Sequence, residues 1–421
     1  MSNSIIRFII VLVIGVFFIA PSLSAEDEYS FDLDEFTKKT WEWKGEVQAL
    51  LSSKNLNQES APYLVKFPEK DKTVINDAEL RLIFDSRWDW EWSRLYLVGE
   101  AFSKQSSLED SDVDGGFLRE GYWQFSLYDP NALDIGKRLL RWGKGYAFNP
   151  VALMERKKNP ANPESDREGL WATQFVWISG AFSVFDASSV TLVYLPISEA
   201  VNDDFREDTT NDDSLQGLKL YGLLGTTDID VYIVRREQYE ELDIGFDFST
   251  NLSANFEVHG EYVKKEYADT TVDIPNTELS LIGLRYLNEN ETTFFLEAYQ
   301  DSSALTVEES KLLYEKLETS PPKQKKAILN RIQSGSTLNR RYGYAKVSIS
   351  EPFGFLYFTP SLAMLSNLDD HSKNGIIQAK YAPGSNYSFQ LTFQSLSGEE
   401  NTQYGEFLNK DKTELQFTYS F

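Results

Sequence analysis

Several shortages frame this sequence of 421 residues. It contains no cysteine and only two histidines, His259 and His371. The first shortage excludes disulfides, thiolate chemistry and a lipid-modified cysteine near the N-terminus. Two distant histidines without a thiolate cannot build a zinc-type ligand cluster. Basic residues are also short: 41 Lys and Arg against 65 Asp and Glu give a formal charge of −24. That balance argues against a nucleic-acid partner. Beyond residue 20 there is no long apolar run, and mean hydropathy is −0.39, so helical membrane spans are excluded there. No enzyme is expected. A Ser–His–acid lipid hydrolase, the least unfavourable one, would need His259 facing lipid, and its strand phase points the other way.

What the chain does have begins at its N-terminus. Arg7 precedes the apolar run Phe8–Ala20, which is followed by the small-residue stretch Pro21–Ala25. The run falls short of the roughly 20 residues that a spanning helix needs. Residues 1–25 therefore read as a secretory signal peptide, and 26–40 as a periplasmic N-terminal segment.

Aromatics reach 14% of the chain, and they recur with a period of two. Trp41, Trp43, Val47, Ala49 and Leu51 alternate with Glu42, Lys44, Glu46 and Gln48. Leu242, Ile244, Phe246 and Phe248 alternate with Asp243 and Asp247, and Phe256, Val258 and Tyr262 with Glu257, His259 and Glu261. At the end of the chain Leu415, Phe417, Tyr419 and Phe421 alternate with Gln416, Thr418 and Ser420. This is strand periodicity.

Short polar turns are expected at 89–93, 129–132, 178–181, 225–228, 249–253, 288–291, 351–354 and 383–386. Longer polar segments at 52–73, 104–116, 144–168, 197–213, 265–276, 301–339 and 397–411 alternate with them. That asymmetry belongs to transmembrane barrels, with short turns on one rim and long loops on the other. Residues 41–421 accordingly read as an all-β, closed antiparallel transmembrane β-barrel of about eighteen strands. Sixteen is the nearest alternative, because strands 7, 9 and 12 are weakly patterned. A soluble pair of sandwiches would need an interior for every apolar face. In a barrel, lipid covers those faces, water or polar side chains fill the lumen, and closure removes the edges.

On these residues the chain resembles Gram-negative outer-membrane β-barrels of the porin type. The terminal Leu415–Phe421 strand is similar to the Phe-ending signal by which such barrels are inserted, which implies the insertion machinery as a partner. The block Arg119–Pro163, with "DIGKRLLRWGKGYAFNP" at its centre, is similar to porin-like proteins of unassigned function. The resemblance implies the bacterial outer membrane, with lipid and lipopolysaccharide as surroundings, and a channel for small polar solutes. Alternatives are a non-conducting receptor or scaffold, a carrier of hydrophobic cargo and, less favoured, an outer-membrane lipid enzyme. A homo-oligomer stays open.

The third long loop, 144–168, is the candidate constriction, with a proline-held outer loop resting on the rim as the alternative. Three Asn-Pro pairs, at 149–150, 159–160 and 162–163, stiffen it. Lys144, Asn149, Pro150, Arg156, Lys157, Lys158, Asn159 and Pro160 are its candidate site residues. By strand phase, Arg81, Asp85, Arg87, Arg94, Glu100, Glu120 and Arg138 face the lumen, as do Asp243, Asp247, Glu257, His259 and Glu261. Two alternatives follow: a basic arc facing an acidic arc across open water, or charges paired into a filled lumen. Arg141 falls out of phase with its strand.

Permeation through such a lumen needs no cofactor. Asp110, Asp112 and Asp114 match the first half of a calcium loop, but Glu120 stands one residue short of the position for the closing ligand. The acidic run 198–214 reads as a solvated loop, open to divalent bridges to lipopolysaccharide. Residues 301–339 leave the strand pattern and predict two short amphipathic helices.

Overall fold

Strand β1 (Trp41–Leu56) is hydrogen-bonded on both sides, to β2 (Val74–Asp89) and to β18 (Asn409–Ser420). Between these lie β3 (Ser93–Ser106), β4 (Val113–Tyr128), β5 (Asn131–Arg138), β6 (Leu170–Phe182), β7 (Phe185–Ile197) and β8 (Asp213–Leu224). Strands β9 (Thr227–Arg236), β10 (Glu241–Ser253), β11 (Phe256–Glu266), β12 (Thr277–Leu287) and β13 (Thr292–Asp301) follow. The set is completed by β14 (Arg341–Ile349), β15 (Phe358–Asn367), β16 (Lys373–Tyr381) and β17 (Tyr387–Ser397). Each pairs with its sequence neighbours, and the β1–β18 ladder closes an eighteen-stranded antiparallel barrel. This computed structural model describes residues 40–421, except 68, 70, 109–111, 129, 204, 206–212, 238–240, 267–275 and 334–336. The expected signal peptide and N-terminal segment thus lie outside the described residues, apart from Thr40.

The outer wall is a belt of exposed apolar side chains, among them Leu82, Phe84, Leu220, Ile282, Leu296, Leu362, Ile377, Leu391 and Leu415. A face this apolar, running round the whole sheet, suits hydrocarbon as its solvent. Near the short-turn rim the belt becomes aromatic. Trp41 stacks on Trp88, Trp43 on Phe84, and Trp92 on Phe125, with ring centroids about 6 Å apart. Trp43 also meets Phe421 edge-on at 6.0 Å.

The connections alternate in length, with two departures from expectation on the short side. The turns expected at 178–181 and 249–253 lie inside β6 and β10, and the chain reverses at 183–184 and 254–255 instead. Gly180, at a φ of +68°, marks a register shift in the β6–β7 ladder, so it bulges the strand without ending it. The loop expected at 104–116 shrinks to 107–112, because β3 and β4 continue their pairing from Lys104 and Val113.

On the long-loop rim, helix α1 (Ala61–Lys66) leans on a helical hairpin of α2 (Val307–Thr319) and α3 (Pro322–Gln333). Ala61, Tyr314, Leu317, Ile332 and Leu338 form their shared core. Thr306 and Glu309 cap α2 reciprocally.

The lumen departs most from its expected polar character. Val193, Leu195, Ile197, Leu215, Tyr232, Val234, Val263, Leu279, Leu281 and Tyr299 point inward and are buried. Against them pack Trp142, Ala147, Phe148, Val151, Leu153 and Met154 from the connection between β5 and β6. That connection has its own apolar surface, and the inner wall supplies the cover.

Candidate functional site

The third loop runs from 139 to 169, longer than expected, because β5 ends at Arg138. Three residues on, Arg141 adopts a left-handed φ of 57°. It therefore belongs to the bend where the chain leaves the wall, and this explains why it falls out of phase. The loop begins beside β5, makes contacts on β9 to β14 and returns to Arg119 of β4 through Asp166 and Gly169, so it crosses the lumen.

Two carboxylates hold it there. Glu261 on β11 accepts the backbone N–H groups of Lys144 and Gly145 at 2.6 Å and of Val151 at 3.1 Å. Glu297 on β13 accepts those of Tyr146, Ala147 at 2.9 Å and Phe148 at 3.3 Å. Backbone N–H groups without a secondary-structure partner need acceptors when buried, and here two anions serve six of them. Glycine makes the approach feasible: Gly143 has a φ of +96°, and a Cβ on it would lie 2.7 Å from the Glu261 carboxylate.

Side chains add further ties. Lys144 Nζ lies 2.9 Å from Asp230, which also receives Lys219 at 3.2 Å. Burial pulls the Lys144 ammonium down, but Asp230 outweighs it and holds the group above its ordinary value. Phe148 stacks on Tyr299, with centroids 4.5 Å apart and planes at 4°. Lys346 of β14 reaches the Tyr146 hydroxyl at 2.6 Å and Glu164 at 2.7 Å.

The loop is also tied internally. Asn149 donates to Glu155 at 3.2 Å and accepts the Lys158 N–H at 2.9 Å. Lys158 Nζ donates to the Gly145 carbonyl, and burial, then the nearby Arg167, push its ammonium below the usual lysine value. Arg156 pairs with Glu168 at 3.7 Å, and Asn159 accepts the Ala161 N–H at 3.0 Å. Pro150, Lys157 and Pro160 line a cavity of about 280 Å³ between this loop and the helical hairpin loop.

The acidic side of the lumen corrects the picture of two arcs facing each other across water. Asp243, Asp247, His259 and Glu261 do face inward, yet all four are at most 3% exposed. Asp247 accepts the Tyr232 hydroxyl at 2.5 Å, and Asp243 pairs with Lys265 at 3.4 Å. His259 lies 3.0 Å from Glu297 and 3.6 Å from Glu257. On this side the charges secure the loop or one another.

The opposite wall is charged and mostly paired. Arg81 bridges to Glu79 and Glu100, Arg119 to Glu100 and Asp166, and Arg87 to Glu42 and Asp89. Arg94 also binds Asp89, and Arg138 binds Asp134 while lying over the Tyr122 ring at 4.8 Å. Between this wall and the loop lies a gap of about 380 Å³.

Sequence reading missed Asp230 and Glu297, the two acids most engaged with the loop after Glu261. Phase was available for Glu297, two residues before the inward Tyr299. For Asp230 it was not, because strand 9 alternates weakly. Of the calcium half-motif, Asp114 pairs with Ser103 in the β3–β4 ladder and Asp112 accepts from Gln105, while Asp110 lies outside the described residues. Among the described residues no group of three or more potential ligands comes together for a metal.

No protein-family model and no curated protein matches this chain. Solved structures do. Pseudomonas aeruginosa OccK5 (OpdH) superposes with a TM-score of 0.54 at 8% identity, over 90% of this chain and 98% of its own. A BenF-like porin from Pseudomonas fluorescens Pf-5 gives 0.54 at 9% identity, with the same coverage. The fold is that of the outer-membrane porins. Escherichia coli Wzi, described as a carbohydrate-binding barrel involved in group 1 capsule assembly, gives 0.54 at 10% identity, over 90% of this chain and 84% of its own. At such identities the likeness defines the porin-type barrel and leaves its cargo to be argued from the residues.

Proposed function

We propose that this porin-type barrel is an outer-membrane channel for small polar solutes. The observation that carries this reading is the loop 139–169, held across one side of the lumen by Glu261 and Glu297. It leaves a charged gap of about 380 Å³ against the other wall. Selection is steric at the loop and electrostatic at the gap, as charged rings act in other channels. The aromatic belt sits at the inner-leaflet interface and the long loops face outward to lipopolysaccharide. The strand ending at Phe421 is what the insertion machinery engages. In planar bilayers the purified protein should give stable unitary currents, and absence of any current would overturn the channel.

A second reading has its own support. The apolar packing of Trp142, Phe148 and Met154 into the wall resembles a domain core, which suits a lumen that binds a solute without conducting it. Wzi shows that a barrel of this general fold is described as carbohydrate-binding. Saturable solute binding without current would favour this reading.

A further inference from the structure

Pairing on the gap wall has conspicuous exceptions. Arg81, Arg87, Arg94, Arg119 and Arg138 all have carboxylate partners. Lys44, Asp85 and Arg141 line the same gap, are exposed, and have no ion pair among the described residues. Lys44 and Asp85 are direct cross-strand neighbours in the β1–β2 ladder, yet they do not bridge. Arg141 comes from the other side, on the loop. Its backbone N–H is spent on Glu155 at 2.7 Å, its backbone is left-handed, and the residue lines the gap. A non-glycine residue in that region is strained and persists where its surroundings impose it.

Two further carboxylates on the gap meet only neutral donors. Glu120 accepts the Leu139 N–H at 3.1 Å, and Glu46 accepts the Gln48 amide. Cations and anions free of ion pairs therefore border one small space, at the lower end of ligand-pocket volumes. An isolated anion would face uncompensated carboxylates there, and an isolated cation would face Arg141 and Lys44. A solute carrying both charges can satisfy both sets.

We infer that the gap is a subsite for small zwitterionic solutes. The anionic end is taken by Arg141 and Lys44, and the cationic end by Asp85. This rests on the reading of the lumen as a solute path, but the subsite is testable apart from conduction.

The direct test is equilibrium binding of four probes of similar size to the purified full chain. These are glycine betaine (zwitterion), choline (cation), isethionate (anion) and erythritol (neutral). Betaine should bind about tenfold or more tighter than each of the others, a difference of about 1.4 kcal/mol. Arg141→Gln and Asp85→Asn should each lower betaine affinity about tenfold, a comparable loss. Arg141→Gln should also favour choline over isethionate, and Asp85→Asn the reverse. Each variant is first checked for the wild-type unfolding midpoint, and Lys44→Gln serves as a third variant if either fails. Betaine binding no tighter than erythritol, preference for one singly charged probe, or no binding at all would overturn the subsite. Absence of current in bilayers would overturn the channel and leave this result standing.

Discussion

The Glu261 carboxylate accepts the backbone N–H of Gly145 at 2.6 Å, across 116 residues of chain. With Glu297 it forms an anionic cradle for the segment Lys144–Val151. Glutamine at either position would turn an amide N–H₂ toward donors that need acceptors. Each buried donor left unpaired costs about 1–3 kcal/mol. Glu261→Gln combined with Glu297→Gln should therefore release the loop. Trypsin cleavage at Arg156–Lys158, located by mass spectrometry, should accelerate at least about tenfold, a change of about 1.4 kcal/mol in local opening. Wild-type cleavage rates would show that the cradle does not hold the loop.

Gly145 tests the same contact from the loop side. A Cβ there would lie 2.2 Å from the Phe148 carbonyl oxygen and 2.4 Å from Leu281 Cδ2. Gly145→Ala should cost about 1–3 kcal/mol of loop docking through overpacking and raise cleavage at the same site. Gly99→Ala, where a Cβ meets nothing within 4 Å, should leave it unchanged. Equal behaviour of the two variants would contradict the packing described.

Acid should loosen the outer limb of the loop. Burial raises the Glu164 carboxyl, but Lys346 and Tyr146 outweigh it and hold the group below its ordinary value. A carboxylate lowered in the folded state contributes stability above its unfolded value, and loses it as pH falls through the folded one. Hydrogen exchange of residues 159–166 should rise as pH falls below the usual carboxylate range, after correction for intrinsic rates. Lys346→Met should flatten that dependence. A flat profile in the wild type would contradict the tie.

Barrel closure has its own test. Gly45 and Phe421 exchange backbone hydrogen bonds at 2.9 Å in both directions, and a Cβ on Gly45 would lie 2.3 Å from Phe421 Cζ. Gly45→Val should push the ring away from Trp43 and destabilise closure by about 1–3 kcal/mol. The urea midpoint of the protein folded into vesicles should fall; an unchanged midpoint would show that the ring does not need the glycine.

Much of the wall was legible in the sequence because a strand has a simple period. Trp41, Trp43 and Leu415–Phe421 announce their faces by alternation, and eighteen strands follow from repeating that signal between turns. The bulge at Gly180 was invisible, since alternation does not say whether a glycine ends a strand or only shifts its register. The loop was recognisable from its prolines and its place in the order of connections. Its path was not, because Glu261 and Glu297 meet it through backbone N–H groups, which every residue but proline carries. The inward apolar residues of β7 to β13 were hidden for a related reason. A strand buried on both faces loses its alternation, and β7, β9 and β12 were the weakly patterned strands.

Unitary conductance in planar bilayers tests the central claim most directly. The wild-type chain should carry small, stable currents through the gap beside the loop. The Glu261→Gln, Glu297→Gln double variant should carry currents several-fold larger or visibly noisier, as the loop leaves the wall. A silent wild type, or identical currents in both proteins, would contradict the account of a channel narrowed by this loop.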